Sequence, residues 1–264
     1  MFPDGGFRGD EANPEEPVVL DPTVTAAFVT DGARNSGGLT SRQPGGTGLG
    51  SSPAALRSGC SRTDTTPNPR SVYRLLPRMG EFRTLLLGSS LRRLIRWQIT
   101  GADSDLPTSF DGTWDGNPGW RRSEFPSGYP GAPVLSGRVA GLLACDLAEA
   151  GRFVPVATDG DAPADASGPD DYVLYLVERI VDCLDTRRSS RPKKTTGEIT
   201  KAVFRPEALP SHLAAFRVPE YRGGVYWNGW AAHRLTELLG EDVESRLVWS
   251  EDPSLPVHPR PWGF

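Results

Sequence analysis

The stretch DYVLYLVERIVDCL at residues 171–184, followed by DTRRSSR at 185–191 and ITKAVF at 199–204, carries most of what the chain says about its fold. Val173, Leu174, Leu176, Val177, Ile180, Val181 and Leu184 make the first segment almost continuously apolar. A strand with one wet face alternates apolar and polar residues, so a nearly unbroken run suits a strand covered on both faces. A buried helix could carry the same residues, but the β-branched and aromatic content favours the strand. The expectation is a buried strand, a basic turn and a return strand. Asp182 and Asp185 close the run, where a carboxylate must be paired, hydrogen-bonded or exposed. Arg187, Arg188 and Arg191 offer partners within the same turn.

Working outward, residues 73–76 read as a first short strand, and LIRWQI at 94–99 alternates like a half-buried one. Residues 101–130 are loaded with Gly, Pro, Asp and Ser and read as a long loop carrying Trp114 and Trp120. Those two either fold back on the core or anchor a partner. Residues 135–151 are the clearest helix, with Ser136 as N-cap, Gly151 at the left-handed C′ position, and Val139, Leu142, Leu143 and Leu147 on one face. A strand is expected at 152–156 and a loose linker at 159–170. Near the C-terminus the same arrangement recurs: a strand at 225–227, Asn228 as a second cap, a helix over 230–240, and an exit strand at 246–249. Aligning Ser136-Gly137 with Asn228-Gly229 puts both helix starts in register. Residues 206–210 read as one helical turn with Pro at its start, and the Pro-rich tail 253–264 as extended chain docked through Trp262 and Phe264. The fold class is α+β: a mostly antiparallel sheet with two main helices.

All seven Trp and six Tyr lie at or after Tyr73, while residues 1–72 hold only Phe2, Phe7 and Phe28 among the aromatics. Rich in Gly, Pro, Ser and Thr, that first segment cannot bury enough apolar surface to offset its ordering entropy. Residues 1–70 are read as a disordered extension, or as the product of a mis-assigned start, and 71–264 as a single α+β domain. A net charge of −4 and a pI near 5.5 argue against general nucleic-acid binding. The charge is uneven, however. Arg187, Arg188, Arg191, Lys193, Lys194 and Lys201 crowd one turn, and Arg78, Arg83, Arg92, Arg93 and Arg96 form a second basic stretch. Such runs are commonly solvated surface; an acidic partner is the sharper alternative. Cys145 and Cys183 are expected as buried, reduced thiols. With no apolar run of membrane-spanning length and no basic, apolar leader, a cytoplasmic location is expected.

Catalytic signatures are scarce. There is no P-loop, nucleophile elbow, H-E-x-x-H or dinucleotide fingerprint. GGTGLG at 45–50 has neither a strand before it nor a helix after it, so composition explains it. The three His, at 212, 233 and 258, are scattered, and no ligand spacing supports a metal site. No cofactor is expected. A catalytic reading would have to gather Asp182, Asp185 and His233 into one site, with no second acid or base visibly placed to help.

Several of these pieces carry a resemblance: PVLSGRV at 133–139, FVPV at 153–156, VDCLD at 181–185 with Ser189 and Ser190 behind it, ITKAVF, AFRV at 215–218, and the short strand into a last helix. In that order they resemble the bacterial immunity-protein domains found beside polymorphic toxins, the group numbered eleven, first described in a myxobacterial protein. The similarity spans about residues 73–249. Asn228 stands where the family's last helix often opens with Ser, and YRGG at 221–224 reads as an insertion, so the identity of any toxin is not carried over. The resemblance implies a protein that neutralises a partner encoded nearby by direct binding, with no catalytic residues. The anchors such a surface needs are expected among Trp114, Trp120, Arg187, Arg188, Arg191, Tyr221 and Trp227. The alternative is a small hydrolase or transferase.

Overall fold

The computed structural model describes residues 70–80, 82–127, 129–158 and 171–263. In chain order the elements are β1 (Ser71–Pro77), β2 (Phe82–Leu86), α1 (Ser90–Thr100), β3 (Phe110–Asp115), β4 (Arg121–Arg122), β5 (Val134–Ser136), α2 (Gly137–Leu142) and α3 (Ala144–Leu147). They continue with β6 (Gly151–Thr158), β7 (Tyr172–Val177), β8 (Ala215–Val218), β9 (Tyr221–Asn228), α4 (Gly229–Leu239) and β10 (Val243–Ser250). The expected extension over residues 1–70, the linker at 159–170 and Phe264 lie outside the described residues, Arg70 excepted.

Among the described residues the strands form a four-stranded sheet, β10-β1-β9-β8, and a six-stranded sheet, β4-β2-β3-β6-β7-β5. Among these strands only β2·β4 and β3·β6 pair in parallel. The class is therefore α+β and mostly antiparallel, with α1 and α4 as the two long helices.

β7 explains why the run at 171–184 is so apolar. Successive side chains of a strand point to opposite faces. Tyr175 and Val177 enter the larger hydrophobic cluster, with Trp227, Tyr226, Phe216 and Phe204. Tyr172, Leu174 and Leu176 enter the second, with Leu94, Trp97 and Phe110. A strand feeding two cores has no wet side. The strand ends at Val177, earlier than the sequence suggests. Beyond it the chain leaves the six-stranded sheet and docks on the edge of the other. Val181 N–H donates to the Arg217 carbonyl at 2.8 Å, and Arg217 N–H to that of Arg179 at 2.8 Å. The expected return strand at 199–204 touches the first arm only through an isolated bridge, Leu184 to Phe204. Burial without a ladder keeps these residues apolar, so composition alone could not mark where strand stopped.

Three other expectations are corrected. Residues 94–99 are part of helix α1: Ser90, Leu94, Trp97 and Gln98 are its buried face at three-to-four spacing, and Gly101 (φ +72°) closes it by donating to Trp97 at 2.7 Å. The loop expected at 101–130 contains β3 and β4. The helix expected over 135–151 is two short ones broken at Leu143, and Gly151 opens β6. A side chain at Gly151 would run into the Leu176 carbonyl of the neighbouring strand, so close approach, not a positive φ, demands glycine there.

The second arrangement near the C-terminus matches the first in geometry. β5 and β6 flank β7, antiparallel to both, with α2 and α3 between them in sequence. β9 and β10 flank β1 in the same way, with α4 between. Ser136 and Asn228 have nearly the same backbone angles (φ −62°, ψ 152° and φ −67°, ψ 151°). Each is followed by a glycine pressed against the start of the inserted strand: a side chain on Gly137 would meet the Asp171 carboxylate, and one on Gly229 the Ser71 hydroxyl. The caps differ. Ser136 Oγ accepts from Val139 N–H at 3.3 Å, whereas Asn228 makes no side-chain cap and donates instead to the carbonyls of Pro210 (2.7 Å) and Leu213 (2.6 Å).

Candidate functional site: a stapled arginine turn

The turn after Cys183 is built on one carboxylate and two hydroxyls. Asp185 Oδ1 accepts from Arg187 N–H at 3.1 Å and Arg188 N–H at 3.2 Å. An aspartate that accepts from backbone two and three residues on fixes a turn locally. Ser189 Oγ accepts from Val203 N–H at 2.9 Å and lies 3.3 Å from the Val203 carbonyl, to which it donates. Ser190 N–H donates to the Lys201 carbonyl at 2.9 Å, and Lys201 N–H returns a bond to Ser190 Oγ at 3.1 Å. Lys193 Nζ pairs with Glu198 at 2.8 Å. The loop is thus cross-linked along both arms.

Its arginines point the other way. Arg187, Arg188 and Arg191 are exposed, and among the described residues their guanidinium groups form no ion pair or side-chain hydrogen bond. The expected pairing of Asp182 and Asp185 with them does not occur. Asp182, largely exposed, pairs with Arg205 at 2.9 Å, and Asp185 serves the backbone. The second basic stretch is divided: Arg92, Arg93 and Arg96 line the outer face of α1, where Asp105 answers Arg93 and Arg96, while Arg83 is buried.

The aromatic anchors fare unevenly. Trp227 is 1% exposed and Tyr221 7%, so neither is presented to a partner. The reason is placement: β9 lies inside its sheet, between β1 and β8. Trp227 packs on Tyr175 at 5.8 Å, and Tyr221 edge-on to Trp262 at 5.0 Å. Trp114 is half-buried, edge-on to Tyr172 at 5.2 Å, with the Arg83 and Arg122 guanidiniums 5.7 and 5.4 Å from its ring. It folds back on the core. Trp120, 39% exposed in the turn after Gly116 (φ +102°), remains a surface aromatic.

The alternative site does not assemble. His233 is exposed on α4, and among the described residues no hydrogen bond or ion pair joins it to Asp182 or Asp185. No cluster of metal-ligating side chains occurs among them. Cys145 is exposed and disulfide-bonded, against the expectation of a buried, reduced thiol, while Cys183 is free and wholly buried. Burial pushes the Cys183 thiol up to about 12, so it stays protonated and a poor nucleophile at neutral pH. An open depression of about 620 Å³ lies elsewhere, lined by Met79, Leu86, Leu91, Tyr129 and Pro130, with Asp115 its one carboxylate.

The tail docks through Trp262, which is buried, as expected; sequence reading missed what the indole packs on and the buried Arg–Trp stacks, Arg217 on Trp97 (4.5 Å) and Arg74 on Trp262 (4.7 Å). No local pattern in the sequence pairs these arginines with those tryptophans. No protein-family model matches the chain, and no curated protein matches it significantly in sequence. No helix among the described residues is long and apolar enough to cross a membrane.

Proposed function

We propose that this chain is a non-catalytic binding protein of the immunity type, which neutralises a toxin or effector by direct contact through the turn at 185–201. The observation that carries this reading is the set of three exposed arginines with no acidic partner among the described residues, on a turn stapled from within. A turn whose backbone is already fixed loses little backbone freedom on docking, and its arginines present planar, bidentate donors to carboxylates. On a protein of net charge −4 they make a local positive field that speeds encounter with an acidic surface and weakens as salt rises. Trp120 supplies an exposed aromatic for such a contact. The partner is a protein with an acidic face, encoded beside this chain. Against a hydrolase or transferase stands the dispersal of Asp182, Asp185 and His233, which leaves no convergent acid–base pair.

The test is calorimetry and stopped-flow association with the product of the adjacent gene, using wild type and the Arg187→Glu/Arg188→Glu/Arg191→Glu protein. Reversal should slow association by about tenfold or more at low salt and flatten its salt dependence. An unchanged on-rate and affinity would remove the turn from the interface. Turnover of any substrate that Asp182→Ala abolishes would replace this reading by a catalytic one.

A further inference from the structure

Trp262 lies in the C-terminal stretch after β10, most of which runs over the surface with Leu255 and Val257 exposed. That stretch is fastened at few points. His258 N–H donates to the Leu247 carbonyl at 2.8 Å, and Arg246 Nη1 to that of Arg260 at 3.1 Å. Trp262 itself is buried. Tyr221 and Tyr226 meet its ring edge-on at 5.0 and 5.2 Å, and a methyl placed on Gly224 would come within 2.8 Å of the indole. The Arg74 guanidinium lies over the ring. The indole N–H donates to the Ile199 carbonyl at 3.2 Å.

Ile199 is on the return arm of the arginine turn, two residues before Lys201, whose N–H closes the turn on Ser190. The turn has a second support on the same stack. At its tip Gly197 takes φ +75°, and a Cβ there would stand 3.1 Å from the Tyr221 ring. The turn rests on Tyr221, and Tyr221 rests on Trp262. The segment 221–224 therefore serves as a seat between tail and turn: Gly224 leaves room for the indole, and Tyr221 meets Gly197.

We infer that Trp262 is a positioning residue for the arginine turn: the docked tail holds the Ile199 carbonyl and the Tyr221 ring in place, so undocking it loosens the turn that presents Arg187, Arg188 and Arg191. The consequence for partner binding rests on the proposed function; the coupling of tail to turn does not. A turn whose order depends on one indole opens locally, at lower free energy than the sheets beneath it. Its loosening returns to the binding step the ordering cost that the stapled loop avoids. A segment that competes for the tail would thereby lower affinity at the turn without touching an arginine.

Hydrogen exchange on the full chain tests this, comparing wild type with Trp262→Ala and Trp262→Phe. Amides that close the turn, those of Ser190, Lys193, Gly197, Lys201 and Val203, should exchange about tenfold faster in Trp262→Ala, the change expected from losing a hydrogen bond of ordinary net strength. The amide of Tyr175 in β7, bonded to the Pro133 carbonyl at 2.8 Å, should keep its rate. Trp262→Phe retains a ring but lacks the N–H donor, so it should show a smaller rise confined to the same amides. Unchanged turn amides, or equal acceleration of turn and β7, would overturn the inference. If Trp262→Ala does not fold, the same two outcomes in Trp262→Phe decide. Coupling without any effect of the triple arginine reversal on binding would sink the proposed function alone, and an effect of the reversal without coupling would sink this inference alone.

Discussion

Asp242 ties the two sheets together, and its removal should be the costliest single polar change in the described structure. It lies between α4 and β10 with a side chain 3% exposed. Its carboxylate accepts from the Arg121 guanidinium and from Glu124 N–H at 2.6 Å, and its carbonyl from Arg78 N–H at 3.1 Å. Arg121 and Glu124 belong to β4 and the segment that follows it, so these bonds fasten the end of the four-stranded sheet to the edge of the other. Asp242→Ala removes the charge-assisted hydrogen bonds with Arg121 and leaves Glu124 N–H without its acceptor. Because the Arg121 side chain is 43% exposed, water recovers part of its share, and the net cost should be about 2–3 kcal/mol. For a folded part of this size that corresponds to a fall in Tm of about 4–12 °C. Asp242→Asn keeps an acceptor for Glu124 N–H and should lose roughly half as much. The assay is thermal and urea unfolding of the single variants, of Arg121→Ala and of the double mutant. The pair should be non-additive, with the double mutant losing less than the sum of the singles. Additive losses, or an Asp242→Ala midpoint equal to wild type, would refute the clamp.

Two further outcomes follow from the same geometry. Asp185→Ala should accelerate exchange of the Arg187 and Arg188 amides and weaken partner binding, Asp185→Asn should largely restore both, and Asp182→Ala should leave stability and binding unchanged because its pair with Arg205 is exposed; equal effects of the two alanines on binding would count against the distinction. Arg138, hydrogen-bonded to Glu124, holds that carboxyl below its ordinary value of about 4.5, so this contribution to stability is complete above that pH and is lost as pH falls through the depressed folded value. Arg138→Gln should therefore flatten the acid limb of a Tm-versus-pH curve below about pH 4.5, the ordinary glutamate range, and two superimposable limbs would exclude the pair as a source of acid sensitivity.

What the sequence determined by itself was local or periodic. The two-sided apolar pattern of 172–177 marked β7, because side chains of a strand alternate and both of its faces are dry. Ser136 marked a helix start through its own hydroxyl, and the strand–helix–strand order near the C-terminus could be read from caps and spacing. Short windows failed where two periods fit equally: LIRWQI at 94–99 alternates, yet Leu94, Trp97 and Gln98 also fall on one helical face. Tertiary structure alone decided the rest. Nothing local distinguishes a tryptophan that will be covered from one that will not, so Trp227 and Tyr221 went to the core of a central strand while Trp120 stayed at the surface. The need for glycine at 151 comes from Leu176 on another strand, and the role of Trp262 from Ile199, far away in sequence. These are contacts between distant segments, and their energies depend on which surfaces the fold brings together rather than on any residue's own preference.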